Sequence, residues 1–389
     1  MINNNEFAFL LGSGTSITVG LPDIYKITNN MYPLLDVYKE SNGRFYKEIP
    51  NNTDVFSERL QYNNPISITI AFCIFKLRSY YSYLEYYQVN YEDIYYLISQ
   101  IHDDLLREWE NPAIVNFKKE LEENLNYFIN EEITYLDILA NTLTYIENVV
   151  CYSLTNSIKD LKNLSFILNA CLDSEYKTTH IFTLNHDKVI EKLFTKNKIK
   201  YTDGFGNSER SLRYWNPTEF DKDYRVGFYK LHGSVNWFRF STDNGKNYRI
   251  GNTGNLKDID HTKNIDDELQ DVFGPELLVG TSNKILNYPR ALYSEMFFRL
   301  HLVLKRVNVL IIIGYGFKDK AINSKIIEYM NYSINNKLII IDKKPIEDLT
   351  KMARTAIKRE SQLWIKNKQL HYFSESIKDF KWDKIKKLL

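Results

Sequence analysis

FAFLLGSGTSITVGLPD, residues 7–23, runs from an unbroken apolar segment into Gly-Ser-Gly-Thr-Ser and then Gly-Leu-Pro-Asp. The apolar run reads as a buried strand. The glycines allow close backbone approach, and Pro22 suits the first turn of a helix, where no N–H partner is needed. Two readings fit. In one, the turn's N–H groups and the next helix dipole face a phosphate; in the other, a tight loop merely closes a strand. Gly20 comes too late for a GxGxxG fingerprint. The stretch alone does not decide, so the partners that the rest of the chain supplies for it do.

Outward from this turn, a helix is predicted to start near Pro22, and the texture then changes. Over residues 31–177, segments such as SITIAFCIFKLRSYYSYLEYY have helix-like periodicity and few Gly or Pro, predicting a helical insertion. An α/β texture returns with HIFTLNHD (180–187), a strand ending in a polar turn, followed by the helix DKVIEKLF. GFYKLHGSVNW (227–237) is another strand and turn, ELLVG (276–280) a further strand, and 290–307 an amphipathic helix with Leu292, Met296, Leu300, Val303 and Val307 on one face. NVLIIIGYGF (308–317) and KLIIIDKKP (337–345) are late apolar strands, and residues 241–268 read as a polar loop. Apolar strands alternating with helices predict a parallel sheet covered on both faces, with ligands beyond the carboxyl ends of the strands. The expected organisation is a discontinuous Rossmann-like domain (1–30 and 178–345), the insertion (31–177) and a C-terminal α/β extension (346–389).

Bulk properties narrow the setting. A hydrophobic fraction of 44% with 25% charged residues suits a soluble globular chain, and a net charge of +1 gives no field directed at nucleic acid or an anionic membrane. Cys73, Cys151 and Cys171 are scattered without metal-ligand spacing, which fits a reduced, cytoplasmic protein with no metal site. The opening MINNNEF has no signal-peptide pattern, and runs such as Val309–Ile313 are too short to span a bilayer. The tyrosines Tyr80, Tyr81, Tyr83, Tyr86 and Tyr87 suit an interface and equally a helical core, the core being expected for most of them.

The polar motifs are individually weak. Asn185 and Asp187 stand two apart at a strand end, where Asp187 also suits a helix cap. His232 stands beside Gly233 after another strand, where a lone histidine is more often structural than catalytic. Asp342 closes the last strand and reads either as a cap or as a carboxylate for a ribose diol.

Taken in order, these motifs resemble the sirtuin superfamily. Gly12-Ser13-Gly14-Thr15-Ser16 with Gly20-Leu21-Pro22-Asp23 is similar to the family's Gly-Ala-Gly-x-Ser…Gly-Ile-Pro-Asp signature. Asn185 and Asp187 match the Gln-Asn-x-Asp motif, and His232-Gly233 the His-Gly pair that carries the catalytic base. Gly314-Tyr315-Gly316 occupies the place of the family's Gly-Thr-Ser turn, and Asp342 that of its final Asn. The literal Gly280-Thr281-Ser282 takes an earlier loop position, towards the nicotinamide or substrate side. No cysteine follows Cys171, so the family's four-cysteine zinc ribbon is absent, and with it part of the acyl-lysine groove. The resemblance is to the bacterial branch that hydrolyses NAD+ in antiphage defence.

That resemblance implies cleavage of the nicotinamide–ribose bond of NAD+ to give nicotinamide and ADP-ribose, depleting NAD+ in abortive infection. Asn185 would hold the attacking water or the ribose hydroxyls, Asp187 the nicotinamide ribose or carboxamide, and His232 would act as general base. Gly12, Ser13, Gly14, Thr15 and Ser16 would hold the diphosphate, with Asp23 and Thr281 also at the nucleotide. Gly314, Tyr315, Gly316 and Asp342 would border the adenosine half. The leaving group departs as a neutral pyridine, so no metal is expected. Partners implied are NAD+, further copies of the chain and a HerA-type ATPase. The alternatives are a module that senses NAD+ or ADP-ribose without turnover, and a deacylase or ADP-ribosyltransferase that needs an acceptor.

Overall fold

The computed structural model describes residues 6–31, 37–39, 45–47, 64–84, 87–108, 110–155, 158–209, 212–242, 247–253, 269–270, 275–280, 291–351 and 353–388. Its strands, in chain order, are β1 (Glu6–Leu11), β2 (Val37–Lys39), β3 (Phe45–Lys47), β4 (Thr178–Thr183), β5 (Phe205–Glu209), β6 (Leu212–Trp215), β7 (Val226–Lys230), β8 (Trp237–Thr242), β9 (Asn247–Thr253), β10 (Leu269–Gln270), β11 (Val309–Ile313), β12 (Lys337–Asp342) and β13 (Leu370–Ser374). Six of them form one sheet in the order β13-β12-β11-β1-β4-β7, every pair parallel. This is the α/β parallel sheet expected from the apolar runs.

The apolar opening stretch is the centre of that sheet because both of its faces are covered. Phe7, Phe9 and Leu11 point into a core built with the helices Ser165–Leu172 and Val189–Lys196. Ala8 and Leu10 point into the opposite core, under the helices Ala291–Leu304 and Lys320–Tyr332. Leu292, Met296, Leu300, Val303 and Val307 are buried there, as the amphipathic pattern requires. A strand buried on both faces has no polar side to show, which is why β1, β11 and β12 read as continuous apolar runs.

Strand order sets where a ligand can sit. The chain leaves β1 towards β4 and β7, then crosses back to the other side of β1 to make β11, β12 and β13. The reversal lies between β1 and β11, the place where the two loops diverge and open a crevice at the carboxyl edge.

Four local expectations change. The Gly-rich turn is itself helical from Ser13 to Ile17, and the next helix, Ile24–Asn29, starts after Pro22 with Asp23 as its N-cap. ELLVG makes no strand; it contributes a single bridge between Gly233 and Leu277. The segment 241–268 is not all loop, because β8 and β9 pair as an antiparallel hairpin within a five-stranded sheet, β10-β8-β9-β6-β5. Strand β13, from the C-terminal segment, pairs with β12 and forms the edge of the main sheet.

Within 31–177 the helices Pro65–Tyr80, Tyr91–Leu105, Val115–Leu125 and Tyr135–Leu154 share their own core. Ile27 and Met31, just beyond the glycine turn, and Val279 join it, so the helices rest on the segments that flank the crevice. Of the tyrosine cluster, Tyr80 and Tyr83 are exposed while Tyr81 and Tyr87 are half-buried with their rings 3.9 Å apart; Tyr86 lies outside the described residues. Among the described residues no helix is long and apolar enough to cross a membrane.

Candidate functional site

The carboxyl ends of β1, β4, β7, β11 and β12 bring Gly12–Ser16, Asn185–Asp187, His232, Gly314–Gly316 and Asp342 to one edge of the sheet. The glycine turn is shaped by its neighbour across the switch point. Gly12 N–H donates to Ile313 O at 2.9 Å and Gly14 N–H to Gly314 O at 3.0 Å. A Cβ on Gly12 would stand 2.4 Å from Gly314 O, and one on Gly14 2.6 Å from Gly314 Cα. Gly314 itself has φ +61°, where a side chain is strained. The three glycines therefore let two loops pack backbone against backbone. Two of the N–H groups expected to face phosphate are spent on this contact, and Thr15 N–H donates to Gly12 O. Ser13, exposed at the start of the short helix, is the part of the turn open to solvent, while Thr15 is buried with its hydroxyl 3.3 Å from Ile313 O.

Ser16 links this turn to the end of β4. Its hydroxyl donates to Asp187 Oδ2 at 2.6 Å and accepts from Asn185 Nδ2 at 2.9 Å. Asn185 Nδ2 also donates to Gly12 O at 2.9 Å. Both amide hydrogens of Asn185 thus clamp the glycine turn, which orients the half-buried side chain. Asp187 is buried and faces inward: Oδ1 accepts from Val189 N–H at 2.9 Å in the turn before the helix, whose N-cap is Lys188 and not Asp187, while Oδ2 holds Ser16. Burial pushes its carboxyl above the ordinary carboxylate range, and the Lys230 ammonium pulls the other way.

Lys230, the last residue of β7, is almost wholly buried beneath these turns. Its ammonium donates to the carbonyls of Asp187 and His186 (3.4 Å to the latter) and lies 2.9 Å from Glu191 Oε1. Val235 N–H also donates to His186 O, at 3.0 Å. The β4 and β7 turns are therefore one hydrogen-bonded unit.

His232 is buried, with Nε2 3.2 Å from Asp319 Oδ2. Its glycine neighbour has a steric reason. Gly233 lies at φ +80°, and a Cβ there would stand 2.0 Å from Glu276 O. That carbonyl accepts from Ser234 N–H at 3.1 Å, and Leu278 N–H donates to His232 O at 2.9 Å, docking residues 276–278 onto the His-Gly turn.

Tyr315 is buried, its hydroxyl bonded to Asn323 Oδ1 at 2.9 Å and to the Asp319 backbone. Gly316 is exposed with open space at its Cβ position. Asp342 is half-buried and accepts from Lys344 N–H at 2.9 Å, forming the turn after β12. Asp23 is exposed and caps its helix through Lys26 N–H at 2.8 Å. Thr281 lies outside the described residues.

Sequence reasoning missed Asp319 and the part played by Lys230. Both had signals: an aspartate directly before KAINSKIIEYM is an N-cap pattern, and a lysine closing an apolar two-faced strand is buried by the register of that strand. Among the described residues no group of three or more His, Cys, Asp or Glu side chains is placed to hold a metal ion.

Residues 179–372 match the family model of the SIR2-like domain. A search of curated proteins returns no match. Similar solved structures include a Sir2 homologue in complex with NAD, at 11% identity over 96% of this chain and 85% of that one, with a TM-score of 0.40. A mutant Sir2 homologue in complex with ADP-ribose aligns at 11% identity over 96% of this chain and 88% of that one, with a TM-score of 0.39.

Proposed function

We propose that this SIR2-like domain belongs to an NAD+ glycohydrolase, which cleaves the nicotinamide–ribose bond to nicotinamide and ADP-ribose. The observation that carries the reading is the joining of Gly12–Ser16 to Asn185 through Ser16 and Gly12 O, at the same sheet edge as a buried histidine paired with a carboxylate. An amide, a glycine turn and a histidine at the carboxyl edge of the sheet, beside a switch point, suit a dinucleotide substrate.

In this reading the electron pair of the C–N bond leaves with the pyridine nitrogen, neutralising its charge, while water adds to the ribose carbon. His232 accepts the proton that the water or a ribose hydroxyl gives up. Asn185 uses its Nδ2 hydrogens on the glycine turn, so its Oδ1 is the end that accepts from water or ribose. Asp187 acts through Ser16 and through the turn it closes on Val189 N–H, not through the ligand. The diphosphate lies against exposed Ser13 and the start of its helix, and the adenosine half against Gly314, Gly316 and Asp342. Thr281 serves the nicotinamide side. Depletion of NAD+ in a cytoplasmic antiphage response, by an oligomer working with a HerA-type ATPase, is the setting that the motif resemblance supports.

The test is incubation of the purified protein with NAD+ and chromatographic measurement of nicotinamide and ADP-ribose in equal amounts. Asn185→Ala and His232→Ala each lower turnover by ~10²–10⁴-fold while the fold persists. Absence of nicotinamide release, by the protein alone and with the partner ATPase, refutes the hydrolase reading. Tight NAD+ binding without turnover would instead favour a sensing module.

A further inference from the structure

We infer that Asp319 is a positioning residue for His232, fixing the tautomer and orientation of its imidazole from the far side of the switch point. The inference deepens the proposed hydrolase reading and rests on it for the role of His232. His232 follows β7 and Asp319 follows β11; β1 and β4 lie between those strands in the sheet. Two residues from opposite halves of the sheet thus meet at 3.2 Å, with His232 3% and Asp319 8% exposed, a water-poor setting in which a charge pair is little screened.

The carboxylate is held in place by the protein on its other side. Asp319 Oδ1 accepts from Ala321 N–H at 2.9 Å and Ile322 N–H at 3.1 Å, capping the thirteen-residue helix Lys320–Tyr332. The Asp319 N–H donates to the Tyr315 hydroxyl at 3.2 Å. Asn323, fully buried, donates from Nδ2 to Phe317 O at 2.8 Å and Arg354 O at 2.9 Å, bracing the loop in which Phe317 takes φ 54°. A cap needs one acceptor oxygen, which Ser or Asn supplies equally well. The second oxygen, Oδ2, is not required for capping and is the one set against the imidazole.

The contact is an ion-pair approach and not a formed hydrogen bond, but a carboxylate 3.2 Å from Nε2 favours the proton on that nitrogen and the lone pair on Nδ1. In the step proposed above, the proton released by water or a ribose hydroxyl goes to Nδ1. Nε2 keeps its own proton, and Asp319 stays ionised and stabilises the imidazolium that forms.

The discriminating variant is Asp319→Asn. Its amide oxygen still caps the helix, but its Nδ2 donates to Nε2 and drives the ring proton to Nδ1, removing the base. With NAD+ as substrate, kcat is expected to fall ~10²–10⁴-fold with KM changed less than about threefold. Asp319→Ser, which caps without reaching the ring, falls comparably. Combined with His232→Ala, Asp319→Asn adds no further loss, because the two act as one unit. A readout independent of turnover is ¹⁵N NMR of histidine-labelled protein, with His232 assigned by its disappearance in His232→Ala. The wild type gives the Nε2–H tautomer and Asp319→Asn the Nδ1–H tautomer. An unchanged tautomer in Asp319→Asn overturns the inference, as does an equal loss of activity in the His232→Ala background. If the wild type releases no nicotinamide, the hydrolase reading fails while the tautomer measurement still decides the pairing.

Discussion

Replacing Gly14 by alanine tests whether the glycine turn exists for packing or for a ligand. The new Cβ would stand 2.6 Å from Gly314 Cα, with Gly314 O and C at 3.2 and 3.3 Å. Relaxed carbon–carbon contact needs ~3.5–4.0 Å, so the loops must part by about 1 Å. That displacement stretches the 3.0 Å bond from Gly14 N–H to Gly314 O beyond hydrogen-bonding range and strains the 2.9 Å bond from Gly12 N–H to Ile313 O. Loss of one such bond together with overpacking at a backbone contact gives a destabilisation of roughly 2–5 kcal/mol. Gly316→Ala is the matched control, since nothing lies within 4 Å of its Cβ position and its effect stays within ~0.5 kcal/mol. Urea unfolding followed by tryptophan fluorescence measures both. The same displacement moves Gly12 O, to which Asn185 is bonded, so Gly14→Ala also lowers nicotinamide release. If Gly14→Ala is as stable as Gly316→Ala while NAD+ binding is lost, the turn is a ligand cradle and the packing argument is wrong.

Two further predictions concern buried charge. Lys230→Met leaves Glu191 and two carbonyls without their ammonium and costs ~3–5 kcal/mol; Lys230→Met with Glu191→Leu recovers part of it, and a single variant within about 1 kcal/mol of wild type would show that the ammonium is dispensable. His180 is held below its ordinary value of 6.5, first by burial, so the folded state resists a proton that the unfolded chain accepts. A base depressed in the fold contributes stability that is present above pH 6.5 and is lost as pH falls from there through the folded value, by up to about 1.4 kcal/mol per unit. His180→Gln should flatten that slope in unfolding curves taken between pH 7 and pH 5; an unaltered slope would assign the acid sensitivity elsewhere.

The identity of the sheet and most of its strands was legible because a strand buried on both faces must be apolar at every position, as FAFLL and VLIII are. The second sheet was not. In WFRFST and NYRIGNT the apolar residues are interrupted by Arg239, Arg249, Gly251, Asn252 and Thr253, residue types that also make loops, so no continuous apolar run marks either strand. The helix Ala291–Leu304 was readable because its signal is local, within three or four residues, whereas the cap that Asp23 makes on the helix Ile24–Asn29 was not anticipated.

The sequence by itself determined the central sheet's α/β class, the carboxyl-edge location of Gly12–Ser16, Asn185, His232 and Gly314, and the absence of any cysteine after Cys171. Only the tertiary structure decided what those residues do to one another. It turned Asp187 inward, set Gly14 against Gly314 across 300 residues of chain, and brought Asp319 to His232. The physical reason is that local propensity and periodicity act over one turn or one strand, whereas a switch point is made by strand order. Strand order depends on which loops close over which distances, and no short stretch of the chain records it.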